Sequence, residues 1–256
     1  MTTTIYNADC NAVLPSLESE SIDLVLTDPP YGIKYFSNMT DRNETIANDT
    51  QDEMQKVLER ALPELKRVLK PRGVMVMFAA GGGPTNTYSF FEKTVGQYFT
   101  LITTLVWSKG KQDGSGMGLG WRYRPAYENI LVVAKHADKY NFYGPGISNV
   151  MVCRSKQTFA DRGDHPTQKP VPLLKRIILK HTLVGDTVLD PFMGCGSTGI
   201  AAKSLGRNFI GIELLEKYYK TADKRLDDTM EFASLLSCPA YTPPEVMLND
   251  RVEGSG

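Results

Sequence analysis

Short apolar runs and amphipathic stretches alternate along most of this chain. The apolar runs are rich in branched residues, which is typical of strands buried on both faces of a parallel sheet. Strands are predicted at residues 5–8, 22–27, 74–78, 98–107, 129–134, 187–189 and 208–212. Helical spacing of apolar residues predicts helices at residues 51–69, 89–96, 170–182, 194–205 and 216–236, with a short helix or turn at 11–20. The alternation predicts an α/β fold, an open and mostly parallel sheet with helices on both faces.

Prolines modify the first long helix and the connection that follows it. Pro63 lies inside the predicted helix and lacks an N–H, so we expect a kink or a split there. Pro71, Arg72 and Gly73 come after the helix and predict a stop before the next strand. Both expectations concern the connection between the helix predicted at residues 51–69 and the strand predicted at residues 74–78.

Polar segments without a helix or strand period separate some of these elements. They lie at residues 32–50, 109–124 and 135–164. A chain of 256 residues is long enough for one large α/β domain that carries such segments as loops. We therefore predict a single domain at residues 1–236, with insertions at about 109–124 and 135–164, and a C-terminal tail at 237–256.

Composition narrows the class of protein. Charged residues make up 23% of the chain, as in ordinary globular proteins, and no apolar run is long enough to cross a bilayer. The start of the chain lacks the features of a signal peptide. The four cysteines are scattered without a Cys-x-x-Cys pair, which indicates neither a zinc site nor a disulfide framework. A cytoplasmic protein without a metal site is the expectation.

The charge of the chain is unevenly distributed. The formal net charge is zero, but residues 107–180 contain 13 lysine and arginine residues against five aspartate and glutamate residues, a local net charge of +8. A local basic excess inside a neutral chain is typical of a one-sided nucleic-acid surface, although a solvated face can give the same pattern. This basic region contains both predicted insertions.

The second predicted strand ends at Asp28-Pro29-Pro30-Tyr31. Each proline fixes its own φ angle and lacks an N–H, so the Asp28 carboxylate and the Pro29 carbonyl leave the strand in a stiff arrangement. Open α/β sheets place their ligands at this end of their strands. Two acceptors beside the ring of Tyr31 suit a planar ring that carries an exocyclic amino group. A strand-ending turn with a packed tyrosine would use the same residue types.

A glycine-rich turn follows the strand that ends near Asp190. The turn matches G-x-G-x-x-G from Gly194 to Gly199, and Glu213 ends the next strand. Glycine lets the backbone approach a ligand, and an acid at a strand end can accept hydrogen bonds from ribose hydroxyls. The pattern fits both NAD and S-adenosyl-L-methionine (S-adenosylmethionine). Asp190 favours S-adenosylmethionine, because a carboxylate binds the cationic amino group of this cofactor better than it binds the anionic pyrophosphate of NAD. An NAD-dependent oxidoreductase is the alternative.

Together, three motifs resemble those of the β-class DNA amino-methyltransferases, the adenine-N6 and cytosine-N4 DNA methyltransferase family. They are Asp28-Pro29-Pro30-Tyr31, His165-Pro166-Thr167-Gln168-Lys169-Pro170 and Asp190-Pro191-Phe192-Met193-Gly194-Cys195-Gly196-Ser197-Thr198. The resemblance covers roughly residues 6–226. It implies a Rossmann-like, S-adenosylmethionine-dependent methyltransferase fold with a seven-stranded sheet, one strand antiparallel. The order of the motifs, catalytic before cofactor-binding, implies a permuted chain.

The resemblance implies two sets of site residues. The catalytic residues are Asp28, Pro29, Pro30 and Tyr31. The residues expected to bind S-adenosylmethionine are Asp9, Cys10, Asp28, Thr167, Lys169, Asp190, Pro191, Phe192, Gly194, Gly196, Ser197, Thr198 and Glu213.

Individual roles follow from the same resemblance. Lys169 is expected to bind the carboxylate of the cofactor, Asp9 its adenine amino group and Glu213 its ribose. The residues from Asp190 to Thr198 are expected to surround its methionine end. Cys195 stands where serine is more usual, a small-for-small change that we expect to be tolerated.

The implied partner is double-stranded DNA. Candidates for DNA contacts in the two basic insertions are Lys109, Arg122, Arg124, Arg154 and Lys156. No membrane partner is expected, and the resemblance allows a homodimer and a cognate restriction endonuclease.

The implied reaction is methyl transfer to the exocyclic amine of a flipped-out base. An aspartate at the head of the catalytic motif favours adenine-N6 over cytosine-N4. The same residues would also suit methylation of an RNA base, and a non-catalytic nucleic-acid-binding protein is a further hypothesis.

Overall fold

One sheet forms the centre of the computed structural model, which describes residues 1–31, 50–79, 87–110, 126–153 and 168–230. Its strands are β1 (Thr3–Asn7), β2 (Ile22–Thr27), β3 (Leu69–Phe78), β4 (Thr100–Ser108), β5 (Tyr127–Ala134), β6 (Val150–Val152), β7 (Thr187–Asp190) and β8 (Asn208–Glu213). The helices are α1 (Cys10–Val13), α2 (Gln51–Val68), α3 (Thr87–Val95), α4 (Val171–His181), α5 (Ser197–Ser204) and α6 (Glu216–Asp227). A short 3-10 helix, Leu14–Ser16, follows α1.

The strand order of the sheet is β1-β8-β7-β2-β3-β5-β4-β6. β5 is antiparallel to β3 and β4, whereas the other paired neighbours are parallel. The predicted α/β fold, with a mostly parallel sheet and one antiparallel strand, is confirmed. Within the described residues the sheet has eight strands rather than the predicted seven, because β6 pairs with the end of β4. Three residues are too few for a sequence period, so this strand left no signal.

Helices cover both faces of the sheet. Side chains of α2 and α3, including Leu58 and Phe91, pack in one buried cluster, and side chains of α4 and α5, including Ile177, pack in another. All six residues of β2 are buried. Its Val25 enters the first cluster and its Leu26 the second, so the strand alternates between the two faces. Full burial of such a side chain contributes roughly 1.5–3 kcal/mol relative to exposure.

The connection from α2 to β3 differs from the prediction. The predicted split at Pro63 is wrong, because α2 is one helix through this exposed residue and the buried Leu62 and Leu65 hold its apolar face on the core. The helix ends at Val68, before Pro71, as predicted, but residues 71–73 do not separate it from the next strand. β3 begins at Leu69, and these residues lie where its register with β2 shifts, in an irregularity that takes up extra residues.

The last described helix is shorter than predicted. α6 ends at Asp227 rather than near residue 236. The Thr229 hydroxyl donates to the Arg225 carbonyl at 2.7 Å, a local bond that competes with further helix at an Asp-Asp-Thr sequence. Residues 231–256, with the predicted tail, lie outside the described residues. Among the helices that are described, none is long and apolar enough to cross a membrane.

Candidate active site

The carboxyl ends of β2 and β7 lie side by side at the centre of the sheet. The two strands are parallel neighbours, with Val25 opposite Leu189. β2 leads directly into Asp28, and β7 ends at Asp190. The Thr27 hydroxyl donates to the Asp190 carboxylate at 2.9 Å, so the two acids predicted from separate motifs occupy one region. Along the chain, β2 is followed by β3 on one side and β7 by β8 on the other, an arrangement at which open α/β sheets bind ligands.

Acids lie at the carboxyl ends of four consecutive strands. Asp9 follows β1, Glu213 ends β8, Asp190 ends β7 and Asp28 follows β2. Neighbouring strands are about 4.8 Å apart, so this row spans roughly 14 Å. A row of this length suits an elongated nucleoside ligand rather than a small anion.

The Asp28 carboxylate is held by two side chains. The Tyr31 hydroxyl donates to Asp28 Oδ1 at 2.5 Å, and the Lys169 ammonium donates to Asp28 Oδ2. The Lys169 side chain is only 8% exposed, and its nitrogen lies 4.9 Å from the ring centroid of Phe78. Lys169 was predicted at the carboxylate of the cofactor, and the structure places its ammonium on Asp28. The cofactor role of Lys169 stays a prediction.

A second carboxylate, which the sequence did not reveal as a site residue, faces Lys169. Glu128 Oε2 lies 3.5 Å from Lys169 Nζ, and Glu128 Oε1 lies 2.8 Å from Lys109 Nζ. β5 is antiparallel, so its first residues lie at the same edge as the carboxyl ends of β3 and β4. The one available signal was that Glu128 is an acid beside a predicted strand within the basic region.

Burial and charge shift the pKa values of this group in different directions. Burial raises the pKa of Asp28, Lys169 offsets part of that rise, and Glu128 adds to it. Burial opposes the charge of Lys169, but Asp28 and Glu128 outweigh it and raise the Lys169 pKa. Burial also opposes the charge of Glu128, where Lys169 and Lys109 prevail and lower the pKa. Lys169 and Glu128 are therefore charged at neutral pH.

Asp190 lies in a different environment. It is 3% exposed and accepts hydrogen bonds from the Thr27 hydroxyl, the Thr198 hydroxyl and the Phe192 N–H. Burial raises the pKa of Asp190 to about 7, and these hydrogen bonds offset only part of the rise. A buried carboxylate stabilised by neutral donors is suited to a cationic ligand.

The glycine-rich turn is shaped by Glu213 and by close packing. The Gly194 N–H donates to Glu213 Oε2 at 2.9 Å, and the Leu215 N–H donates to Glu213 Oε1 at 2.8 Å. The backbone of Leu214 also bonds this carboxylate, so three donors leave one of its roughly four lone pairs for a ribose hydroxyl. Gly196 has a φ angle of +80°, and a Cβ there would lie 3.0 Å from the Ala222 Cβ. The turn into α5 therefore requires glycine at this position.

Asp9 and Cys10 lie at the outer end of the row of acids. The exposed Asp9 carboxylate caps α1 by accepting from the Asn11 N–H at 2.9 Å. Cys10 is buried, and burial raises the pKa of its thiol to about 12, so the thiol stays neutral. The Ala8 N–H donates to the Glu213 carbonyl at 3.0 Å, which holds this end of the row beside β8.

The remaining predicted residues divide into two groups. Pro191, Phe192, Ser197 and Thr198 lie in or directly after the turn that follows β7. Lys109, predicted to contact DNA, is ion-paired with Glu128, and its DNA contact stays a prediction. The predicted residues outside the described part of the chain are Thr167, Arg122, Arg124, Arg154 and Lys156.

These groups fit S-adenosylmethionine. A buried carboxylate at Asp190 matches a ligand with a cationic amino group and a cationic sulfur, and Glu213 matches its ribose. The positive φ of Gly196 and its close packing on Ala222 fix the backbone of this turn in a shape that a larger residue could not adopt. Fold and site together define a Rossmann-like methyltransferase in which Asp28 lies beside the strand that leads into the glycine-rich turn.

Comparison with known proteins leads to the same class. Residues 22–224 match the model of the N6/N4 family described as DNA methylase. The chain is 32% identical over 262 residues to the DNA adenine methyltransferase YhdJ of Escherichia coli (strain K12), a similarity that covers 90% of this chain and 85% of that protein.

Two solved structures are similar as well. The complex of M1.HpyAVI with S-adenosylmethionine has a TM-score of 0.65 at 30% identity, covering 88% of this chain and 100% of that chain. The cytosine-N4-specific PvuII DNA methyltransferase has a TM-score of 0.68 at 20% identity, covering 93% and 91%, a likeness of fold alone. The chain therefore belongs to the DNA methylase family. It is an S-adenosylmethionine-dependent DNA methyltransferase, as the motifs predicted.

Proposed function

We propose that this protein methylates the N6 amine of adenine at a specific sequence in duplex DNA. One observation carries the proposal: Asp28 and Asp190 lie at the ends of neighbouring strands, joined by the Thr27–Asp190 hydrogen bond. Methyl transfer needs the acceptor amine and the methyl donor in contact, and holding both in one geometry supplies much of the rate. Asp28 and the residues beside it would hold the acceptor amine, and the turn after Asp190 would hold the methyl donor.

The cofactor would lie along the row of acids. Glu213 would accept its ribose hydroxyls, and Asp9 would face its adenine amino group. The residues that would surround its methionine end are Asp190, Phe192, Gly194, Gly196, Ser197 and Thr198. When bound, it supplies a methyl group on a positively charged sulfur, which makes the methyl carbon electrophilic.

Asp28 and the Pro29 carbonyl would activate the amine. Its lone pair is delocalised into the base, so the nitrogen is a weak nucleophile. Two acceptors for its N–H groups favour a tetrahedral nitrogen with a localised lone pair. The nitrogen then forms a bond to the methyl carbon as the carbon–sulfur bond breaks, the sulfur becomes neutral, and a proton leaves the nitrogen for water. Preorganised acceptors stabilise the positive charge on nitrogen during transfer.

The base must leave the duplex to reach Asp28. An amine inside a stacked pair cannot contact a carboxylate at a sheet edge, so the base would be flipped out. Tyr31 would stack on it. Two contacts that orient its ring support this role: its hydroxyl donates to Asp28, and its ring packs edge-on against Phe91 with 6.0 Å between the ring centroids. Lys109, Arg122, Arg124, Arg154 and Lys156 stay the candidates for DNA contacts.

The choice of adenine rests on two points. Asp28 heads the catalytic motif, which favours adenine-N6, and the relative named as an adenine enzyme shares 32% identity over most of both chains. A homodimer and a cognate restriction endonuclease are further partners within this proposal. Size-exclusion chromatography with light scattering tests the homodimer.

Modification-sensitive sequencing of DNA from cells that express the protein tests the proposal. We expect N6-methyladenine at one short motif, and none with the Asp28→Ala variant. N4-methylcytosine at the motif would instead assign the cytosine reaction. Radiolabelled methyl transfer to duplex DNA and to RNA distinguishes the nucleic-acid substrates. Methylation that persists in Asp28→Ala would contradict the catalytic assignment.

A further inference from the structure

Four charged side chains alternate in sign from β2 to β4. Asp28 contacts Lys169, Lys169 faces Glu128 at 3.5 Å, and Glu128 pairs with Lys109 at 2.8 Å. The side chains of Glu128 and Lys109 are 14% and 22% exposed, so this is a largely buried group rather than a surface ion pair. The group is electrically neutral as a whole, with Lys169 between two carboxylates.

The Lys169 ammonium competes with the proposed substrate. Asp28 Oδ1 accepts from Tyr31 and Asp28 Oδ2 accepts from Lys169, so neither oxygen is without a donor. An ammonium on this carboxylate also opposes the positive charge that develops on the target nitrogen. Turnover would therefore be faster if Lys169 had another acceptor nearby.

Glu128 provides that acceptor. Its Oε2 atom is buried, and its ion pair with Lys169 is too long for a well-formed hydrogen bond. It lies 3.5 Å from Lys169 Nζ, and a charge-assisted hydrogen bond forms at about 2.8 Å. A movement of less than about 1 Å would bring the ammonium within hydrogen-bond distance of Glu128 and lengthen its contact with Asp28.

We propose that Glu128 is a positioning residue that draws Lys169 away from Asp28 when the target amine binds, leaving the Asp28 carboxylate free to accept from the amine. Lys109 would keep Glu128 charged and oriented during this exchange. The inference rests on the proposed function, because the amine is the group that displaces Lys169.

The exchange predicts how each partner affects the pH dependence of turnover. Glu128 faces Lys169 and Lys109, and Asp28 faces Lys169, Glu128, Tyr31 and the neighbouring Asp190. Transfer requires an ionised Asp28, so its protonation defines the acid limb of the kcat–pH profile. Glu128 raises the pKa of Asp28 and Lys169 lowers it, so loss of Glu128 should lower that pKa.

The Glu128→Gln variant tests the proposal directly. We expect kcat for duplex DNA to fall about 10- to 100-fold, less than for loss of a group that touches the reacting atoms, while KM for DNA and cofactor changes less than about threefold. The acid limb of the kcat profile should move to lower pH. A fall in kcat with the limb unmoved would mean that Glu128 is merely structural, and would overturn the proposal.

The Lys109→Gln variant should move the acid limb of the kcat–pH profile in the opposite direction. Without Lys109, Glu128 has Lys169 as its remaining cation in this group, so Lys169 should shift toward Glu128 and the acid limb should move to higher pH. Movement of the limb in the same direction in both variants would also overturn the proposal. This comparison holds even if Lys109 contacts DNA, because such a contact changes KM for DNA rather than the position of the limb.

Matched controls separate folding from positioning. Glu128→Asp keeps the charge and should keep the wild-type limb. If Glu128→Gln does not fold, the shift of the acid limb in Lys109→Gln serves as the test. Glu20→Gln removes a carboxylate that lies 3.8 Å from Lys135, just beyond the other end of β5, and should leave the kinetics unchanged. Wild-type protein that methylates no DNA in this assay would refute the proposed function. An active wild type with a kcat profile unchanged by Glu128→Gln would refute this inference alone.

Discussion

Two carboxylates on neighbouring strands, Asp190 buried and Asp28 partly buried, are stabilised in different ways. Asp28 is contacted by the ammonium of Lys169, whereas Asp190 accepts hydrogen bonds from hydroxyls and a backbone N–H. A buried carboxylate without a cation is costly to ionise, and the Asp190 pKa of about 7 reflects that cost. In the proposed reaction, Asp190 would gain a cation from the ligand, whereas Lys169 would be displaced from Asp28.

Replacing Asp28 should give the largest effect on turnover. Asp28→Asn removes a charged acceptor at the reacting amine, so we expect kcat to fall about 1,000-fold or more. The affinity for S-adenosylmethionine should change less than about threefold, because Asp190 and the glycine turn are intact. Single-turnover methyl transfer and isothermal titration calorimetry measure the two quantities. A loss of cofactor affinity as large as the fall in kcat would mean that Asp28 and the turn after Asp190 form one binding site.

Replacing Asp190 should instead weaken the cofactor. Asp190→Asn removes the charge that faces the cationic ligand, and we expect Kd for S-adenosylmethionine to rise about 10- to 100-fold, or roughly 1.4–2.7 kcal/mol. At saturating cofactor, kcat should fall much less than in Asp28→Asn. The same calorimetry provides the measurement, and an unchanged Kd would contradict the proposed cofactor site.

The raised pKa of Asp190 predicts a pH dependence with opposite signs for binding and stability. Affinity for the cationic cofactor should weaken as pH falls through about 7, because Asp190 becomes neutral. The stability of the cofactor-free protein changes with pH in the opposite direction. The folded pKa exceeds the unfolded value of 3.8, so the folded state binds more protons and this group destabilises the fold as pH rises from about 4 to about 7.

Thermal unfolding of the cofactor-free protein at pH 5 and pH 8 measures this contribution. Asp190→Asn should remove it, and at pH 8 we expect the variant to melt a few degrees higher than wild type, about 2–4 °C per kcal/mol. A variant that melts lower at pH 8 would show that Asp190 is stabilising when ionised.

Thr27 offers the smallest and most local change. Thr27→Val keeps the shape of the side chain but removes the hydroxyl at the end of β2 that donates to Asp190 at the end of β7. Loss of one such bond costs about 0.5–1.5 kcal/mol, so the cofactor affinity should fall about 2- to 10-fold. A larger fall in kcat than in cofactor affinity would mean that the Thr27–Asp190 hydrogen bond contributes to catalysis rather than to cofactor binding.

Residues that end strands could be predicted from the sequence. Asp28, Asp190 and Glu213 each terminate an apolar run, and parallel strands bring such ends to one edge of the sheet. The wrong expectations for α2 and β3 arose where tertiary packing outweighs local preference. Pro63 is tolerated because its neighbours are buried, and residues 71–73 are absorbed in a register shift.

Contacts across the sheet could not be predicted in this way. Glu128 reaches Lys169 because β5 runs antiparallel next to β3, and no local pattern around Glu128 specifies that neighbour. The contact of Lys169 with Asp28 joins residues 141 positions apart, through a motif that the sequence related to the cofactor. Motif spacing gave the types of chemical group, and the strand order decided which of them touch.

The pairing of β1 with β8 has a consequence for how the protein is made. The Thr2 N–H bonds to the Asn208 side chain, 206 positions later, and Thr3–Asn7 pair along Phe209–Glu213. On the ribosome, β1 therefore emerges long before the strand that receives it. The half of the sheet with Asp9 and Glu213 can be completed only after β8 has emerged, so a nascent chain interrupted before β8 contains Asp28 and Lys169 but not the paired ends of β1 and β8.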